Sequence, residues 1–559
     1  MDIKREEGRI VIMKKKQIIT FMLCGVIAAS GLAGCGGKKD GAAAGGFKTA
    51  ADDKVDENGK VNGVWNKEGL PIVDEGTEFS FSIFCDDNSE SKDWYMMDWL
   101  EKQTGIDVDV QNYAYEVAKE KFSLALSSGD YADCIGGWCL SESDILKYGV
   151  NQKIFVPLES YIEAYCPNIQ KVLEIPGVRE TVTAPDGHIY AVPYVVDAPM
   201  VDFQISVNTK WLENVGMEMP ATTEEFEAVL KAFKEKDANG NGDPNDEIPL
   251  SFDPDNLKIN YLMGWFGMSC DKYGMTVKDG KPVFGANTDQ FKEGVKYLNS
   301  LYAQGLIDPE TFTQDKGMWK SKGAKNTFGA TMTYASSDFQ PYNAGVTPDW
   351  KPLPVLSSPN CSNPEYYRDT TGVSILKNQL VITNKAKDVG AILRFWDTVY
   401  DADNSIQIIN GPLDDVVFKE DDGYHKIDMS TRSEEDQKKY SWASLFPQSL
   451  PKNVPLGFKL IEDPAVYDEK KLDVDPTYEP YLTEDMPAYW MPLDQADEMA
   501  EIQTAIEDYI KQKVAEWVAG QADVDADWDA YCKQLDTLGL ESYVKMRQDT
   551  AEQAKEAAE

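Results

Sequence analysis

Histidine is nearly absent from this 559-residue chain, which has only His188 and His425. A histidine-based zinc centre or a Ser-His-Asp triad therefore has few possible builders. Basic charge is short as well: Lys plus Arg number 55 against 95 Asp plus Glu, a formal net charge of −40. No stripe of clustered Lys and Arg stands out, which argues against nucleic acid as a partner. Past residue 35 no apolar run reaches membrane-spanning length. Cys24 and Cys35 lie near the N-terminus, and Cys85, Cys134, Cys139, Cys166, Cys270, Cys361 and Cys532 follow. An odd, widely spaced set is not a disulfide framework. Most read as small buried apolar residues, with Cys134 and Cys139 as one possible pair. There is no internal repeat. What the chain does have is apolar and aromatic mass: 42% hydrophobic residues, with 13 Trp, 27 Tyr and 21 Phe. That is enough to bury sizeable cores, which excludes general disorder. The aromatic surplus needs an explanation, and stacking on sugar rings is one.

Residues 13–35 read MKKKQIITFMLCGVIAASGLAGC. Three lysines precede an apolar stretch that is short and interrupted by Gly and Ser, the layout of a secretory signal. The stretch ends in Leu32-Ala33-Gly34-Cys35, which resembles a bacterial lipobox. The resemblance implies cleavage before Cys35 and a diacylglyceryl thioether on it. Met1–Ile12 is charged and unusual ahead of such a leader, so Met13 is a candidate start. Residues 1–34 are thus expected to be a lipoprotein-type signal peptide, and 35–76, rich in Gly, Ala and charge, a tether. About 30 flexible residues reach roughly 30 Å. The expected location is extracytoplasmic, on the outer face of the cell membrane.

The rest alternates. Phe79–Phe84 has strand periodicity and is followed by Asp86 and Asp87; a helix runs from Trp94 towards Gly105; Ile106–Val110 alternates again. A helix over Lys119–Ser127 and a buried strand at Cys134–Gly137 follow. This order predicts parallel sheets in an α/β fold. In open α/β sheets ligands sit outside the carboxyl ends of strands, where Asp86, Asp87 and Trp138 fall. Thr222-x-x-Glu225 is a capping box ahead of Phe226, Val229, Leu230 and Phe233. Near the C-terminus Met499, Ile502, Ile506, Tyr509, Ile510, Val514 and Trp517 form an apolar helical stripe, read as core.

Residues 237–250, DANGNGDPNDEIPL, have the chemistry of a calcium loop. Asp237, Asn239 and Asn241 alternate, Gly242 permits a sharp turn, and Asp243, Asp246 and Glu247 supply further oxygens. Calcium takes six to eight hard oxygens, and the opening D-x-N-x-N-G matches an EF-hand. Position 12 is Ile248 rather than Glu, so the closing carboxylates come early. The alternative is an Asx-rich turn that satisfies its own backbone. No open-site group is evident, so a bound ion would be structural.

Several stretches then carry a family resemblance: WLEKQTG (99–105), KFSLALSSGDYADCI (121–135), VPLESYI (156–162), PDGHIYAVPY (185–194), VNTKWLENVGMEMPATTEEFEAVLKAFKEKDANGNGDPNDEIPL (207–250) and LYAQGLIDPETF (301–312). Together they resemble bacterial extracellular solute-binding proteins, family 1, in particular the large lipoproteins of carbohydrate ABC importers, akin to alginate-oligosaccharide receptors. The resemblance implies a two-lobed, periplasmic-binding-protein-like α/β fold of type II, its lobes joined by crossing hinge segments. Lobe one would be 77–195 and 375–410; lobe two would be 205–370 and 411–559, including the C-terminal helices. It also implies a calcium loop at Asp237, Asn239, Asn241, Asp246 and Glu247, an oligosaccharide ligand, and membrane permease subunits as partners. The expected state is a monomer.

A sugar cleft needs aromatic planes for ring faces and carboxylates or amides for hydroxyl edges. The candidates are Trp138; Trp265 and Phe266 in GWFG; Tyr334, Asp338, Phe339 and Tyr342 in TMTYASSDFQPYN; Trp442; and Trp490. Asp86 and Asp87 are candidate edge acceptors, and Arg368 with Asp369 precede the second crossing. Core packing competes with each aromatic assignment. A receptor for peptides or another non-sugar solute is the rival reading. A secreted glycosidase needs a defined carboxylate pair, and no pair stands out among so many acidic residues. No catalytic residue is therefore expected.

Overall fold

The computed structural model describes residues 47–87, 94–254, 258–340, 347–453, 456–462, 467–486 and 490–558. Its frame consists of strands β1 (Ser80–Asp86), β2 (Asp107–Tyr113), β3 (Cys134–Gly136), β4 (Tyr194–Asp197), β5 (Gln204–Asn208), β6 (Ile248–Phe252), β7 (Phe328–Thr333), β8 (Trp350–Pro352), β9 (Val373–Leu376) and β10 (Leu380–Ile382). The first sheet has the order β10-β3-β1-β2, with β1 parallel to both β2 and β3. The second has the order β8-β5-β7-β6, with β6 and β7 parallel and β5 antiparallel to β7. Between them β4 and β9 pair antiparallel from Tyr194 opposite Leu376 to Asp197 opposite Val373. The ladder continues where Ala198 N–H donates to Gly372 O at 3.1 Å and Asp369 N–H to Met200 O at 3.0 Å. This two-stranded crossing connects the sheet of β1, β2, β3 and β10 with the sheet of β5 to β8.

Helices cover the sheets as the periodicity predicts. In the first lobe α1 (Tyr95–Thr104) stops at Gly105, whose φ of 72° suits a glycine C-cap. Helix α2 (Tyr115–Ser128) follows β2. In the second, Thr222 caps α3 (Thr223–Glu235) through Glu225 N–H at 3.2 Å, and Phe226, Val229, Leu230 and Phe233 are buried. Each sheet has its own core. One gathers Phe81, Ile83, Leu100, Ile162, Leu380 and Trp396 around the first sheet. The other gathers Ile205, Phe226, Leu250, Leu298 and Met332 around the second, together with Ile506, Ile510 and Trp517 of the C-terminal stripe helix. In order, α4 is Asp289–Ala303, α5 is Val389–Val399, α6 is Trp442–Leu445 and α7 is Leu493–Val518. Among the described residues no helix is long and apolar enough to cross a membrane.

Three expectations change. Residues 47–76 are not a free tether: Val61, Trp65, Ile72 and Val73 are fully buried in the first core, and Trp65 Nε1 donates to Asp388 Oδ2 at 2.8 Å. Burying one indole outweighs the flexible composition around it. Residues 411–450 do not all belong with the second lobe, because Leu445, Phe446 and Leu450 pack into the first core. Cys134 and Cys139 do not pair; all seven cysteines among the described residues are free thiols. Cys35 lies outside the described residues.

Candidate functional site

β1 ends in Asp86, and β3 ends at Gly136, with Gly137 next to Asp86. Gly137 has φ of 119°, and a Cβ there would lie 1.8 Å from Asp86 Oδ1. Only glycine lets the backbone turn this close. The turn aims Trp138 N–H at Asp86 Oδ1, at 2.8 Å, and leaves the Trp138 side chain 48% exposed. Tyr115, at the start of α2, is also exposed and is hydrogen-bonded to the Trp138 side chain. Asp86, Tyr115, Lys119, Trp138, Cys139 and Ser141 line an open depression of ≈ 470 Å³. Lys119 Nζ donates to Cys139 O at 2.9 Å and to Asp144 Oδ2 at 2.5 Å, which fixes the floor. Burial pushes the Asp86 carboxyl up to about 6, against the N–H groups of Trp138 and Cys139, which hold it down.

Asp87 is buried too, and its Oδ2 accepts from Gln448 N–H at 2.5 Å. Gln448 Nε2 in turn donates to Trp442 O and to Phe446 O. Trp442 itself is 63% exposed. Lys452 is buried beneath this segment, donating to Gln448 O at 3.1 Å and Leu450 O at 3.2 Å. Burial draws its pKa down to about 7, and the nearby Asp87 charge opposes that fall.

On the second sheet Tyr334 follows the carboxyl end of β7 and is 39% exposed. The Lys470 ammonium sits 4.4 Å from its ring centroid, a cation–π contact that braces one face. Lys470 also donates to Val201 O at 3.0 Å, Asp202 O at 2.6 Å and Gln204 Oε1 at 2.7 Å. Arg368 is occupied by the protein, its Nε donating to Thr483 O at 3.1 Å. Asp369 accepts from Lys258 at 3.0 Å, from Asp202 N–H at 2.9 Å and from the Tyr261 hydroxyl. This pair therefore fastens the lobe-two end of the crossing.

Three expected ligand aromatics are packing residues instead. Trp265 is 2% exposed and packs edge-on against Phe226 and Tyr297. Phe339 is buried among Trp319, Phe328 and Trp350. Trp490 is buried against the first lobe, donating from Nε1 to Thr181 O at 2.8 Å, with Lys377 4.2 Å from its ring centroid. In each case the residues flanking the aromatic look like a loop, but the side chain turns inwards, where a large apolar group gains most. Tyr342 lies outside the described residues. Tyr115 and Lys119 were missed by the sequence reading. The rule about strand ends points to Tyr115, two residues past Tyr113 at the end of β2. Lys470 carries no local signal.

The 237–247 loop is a closed turn. Asp237 Oδ2 accepts from Gly242 N–H at 2.9 Å, and Glu247 Oε1 from Ala238 N–H at 3.0 Å. Asn239 and Asn241 donate to the two oxygens of Asp246 at 3.0 and 2.8 Å. Asn241 Oδ1 accepts from Asp243 N–H at 2.7 Å. The remaining oxygens, Asp237 Oδ1 and Glu247 Oε2, are buried without a hydrogen-bond partner. Two orphaned buried carboxylate oxygens facing an Asx-rich turn fit a hard cation.

Comparison with known proteins identifies the family and the fold. Residues 96–404 match the family described as bacterial extracellular solute-binding protein. The fructooligosaccharide ABC transporter substrate-binding protein FusA of Streptococcus pneumoniae is 32% identical over 472 residues, covering 80% of this chain and 85% of that protein. Its solved structure in complex with kestose superposes with a TM-score of 0.70 at 28% identity, covering 86% of this chain and all of that one. A further FusA structure, with the same overlap, is of an EF-hand mutant in complex with fructo-nystose. The alginate-binding protein AlgQ2 without calcium ion shares the fold, with a TM-score of 0.62 at 21% identity, covering 88% of this chain and 99% of that one.

Proposed function

Because this chain belongs to the bacterial extracellular solute-binding proteins, we propose that it captures an oligosaccharide between its lobes and hands it, chemically unchanged, to an ABC importer. The observation that carries this reading is the pairing of exposed Trp138 and Tyr115 over a depression at the carboxyl end of the first sheet. An indole that large is left in water where a ligand's apolar face can cover it. The relative FusA is named for fructooligosaccharides, which makes kestose the first probe. Ligand favours the closed state only by touching both lobes, and Tyr334 on the second sheet is the candidate for the opposing contact. Rigid-lobe closure about the β4–β9 crossing supplies the motion. Cys35 is the proposed lipid anchor. The 237–247 loop is the proposed structural calcium site, held by Asp237, Asn239, Asn241, Asp243, Asp246 and Glu247.

The test is calorimetric titration of the wild type and Trp138→Ala with kestose. Truncating a stacked aromatic anchor removes roughly 1–3 kcal/mol, about 5- to 150-fold in affinity. Unchanged affinity in Trp138→Ala removes this residue from the site. Shorter fragments appearing from the bound sugar would replace the receptor reading with an enzyme.

A further inference from the structure

The end of β1 presents two adjacent carboxylates, and each is spent on the protein. Successive side chains of a strand point to opposite faces, so Asp86 and Asp87 reach different neighbours. Asp86 holds the 137–139 turn through Trp138 N–H. Asp87 holds Gln448 N–H, and Gln448 Nε2 holds the carbonyl of Trp442. Both carboxylates are buried, whereas the indoles they lead to are exposed. Asp86 borders the depression but is 2% exposed and its Oδ1 is taken by Trp138 N–H, which suits positioning better than reading sugar hydroxyls.

We propose that Asp86 and Asp87 are positioning residues that fix two separate aromatic stations, Trp138 with Tyr115 and Trp442, so that the protein's grip grows with the length of the oligosaccharide. The inference rests on the receptor reading above and adds a substrate class to it: chains of several rings, with the far rings read by Trp442. Stations served from opposite faces of one strand end do not stack on the same ring. Trp442 lies on α6, whose neighbour Tyr440 packs edge-on against Tyr95 at the start of α1, with ring centroids 5.3 Å apart. Gln448, bound both to Asp87 at the end of β1 and to Trp442 O, keeps α6 at the same end of the sheet as Trp138.

The experiment is calorimetric titration with kestose, fructo-nystose and the next longer fructooligosaccharide, on the full chain and six variants. Trp138→Ala weakens all three ligands by about tenfold. Trp442→Ala leaves kestose nearly unchanged and weakens the longest by about tenfold. Asp87→Ala reproduces the length-dependent loss of Trp442→Ala, and Asp86→Ala the uniform loss of Trp138→Ala. Asp86→Asn and Asp87→Asn keep one carbonyl oxygen, enough for the Trp138 or the Gln448 N–H, and lose less affinity than their Ala counterparts. Those conservative variants also separate positioning from general loss of fold, which Ala variants alone do not. If Trp138→Ala weakens binding while Trp442→Ala has no effect at any length, or an equal effect at every length, the two-station inference is overturned. So is it if either Asn variant binds as weakly as its Ala counterpart. If the wild type binds none of the three sugars, the fructooligosaccharide reading falls and takes the inference with it.

Discussion

Removing calcium from the 237–247 loop gives the sharpest quantitative test. Asp237 Oδ1 and Glu247 Oε2 are buried and unpartnered. A buried polar group without its partner costs about 1–3 kcal/mol, so the empty loop carries roughly 2–6 kcal/mol that an ion ligating both oxygens relieves. Burial also raises the Glu247 carboxyl above its ordinary value, with the Asp246 charge adding to the shift; a cation reverses that pressure. Linkage sets the measurable size: an ion at 100 times its dissociation constant stabilises the folded state by about 2.7 kcal/mol. For a cooperative unit of 150–250 residues, each kcal/mol moves the midpoint by roughly 2–4 °C. Excess chelator should therefore lower the melting temperature by about 5–10 °C relative to calcium-saturated protein. Asp237→Asn removes one negative charge and a ligand oxygen while keeping a group able to accept from Gly242 N–H. Its melting curve should lie near that of the chelated wild type and ignore the chelator. The assay is scanning calorimetry with metal analysis of the same samples. A wild type that contains no calcium after dialysis against it, and melts alike in both buffers, shows that the loop is only an Asx turn.

Trp265→Ala should destabilise by about 3–5 kcal/mol while the folded fraction binds kestose with wild-type affinity; a selective affinity loss would return Trp265 to the cleft. Asp86 gives a pH signature. Its folded-state value of about 6 stands above the ordinary 3.8, so the stability gained by protonation is complete below about pH 4 and is lost as pH rises through 6. In urea titrations across that window Asp86→Asn should lack this part of the decline, leaving the shares of Asp271 and Asp397, which burial also raises to about 6. Parallel wild-type and variant curves would contradict the assignment. Cys35→Ser should move the protein from the membrane fraction to the medium, since two acyl chains make a stable anchor; retention of the variant on membranes would count against lipidation there.

Local chemistry made much of this protein legible from the chain alone. Period-two alternation marked β1 and β2, and the capping box at Thr222 placed the start of α3. The D-x-N-x-N-G run singled out the turn whose Asp237 and Glu247 oxygens stand unpartnered. Strand-end logic placed Trp138 just past the carboxyl end of β3, where its side chain is exposed. These signals are short-range: each depends on a few neighbouring residues and survives without knowledge of the rest of the fold. What the tertiary structure alone decided was which aromatics face water. Trp138 and Trp265 both follow or flank glycine in apparent loops, yet one is 48% exposed and the other 2%. Trp65 turned a tether-like sequence into part of a core, and Leu445, Phe446 and Leu450 carried residues beyond 411 to the first lobe. Lys470 reached Tyr334 from 136 positions along the chain by numbering, through a contact no local pattern encodes. The physical reason is common to all of them. Burial of a side chain is set by the surfaces that close over it, and those surfaces come from segments hundreds of residues apart, whereas turn and strand propensities are properties of the segment itself.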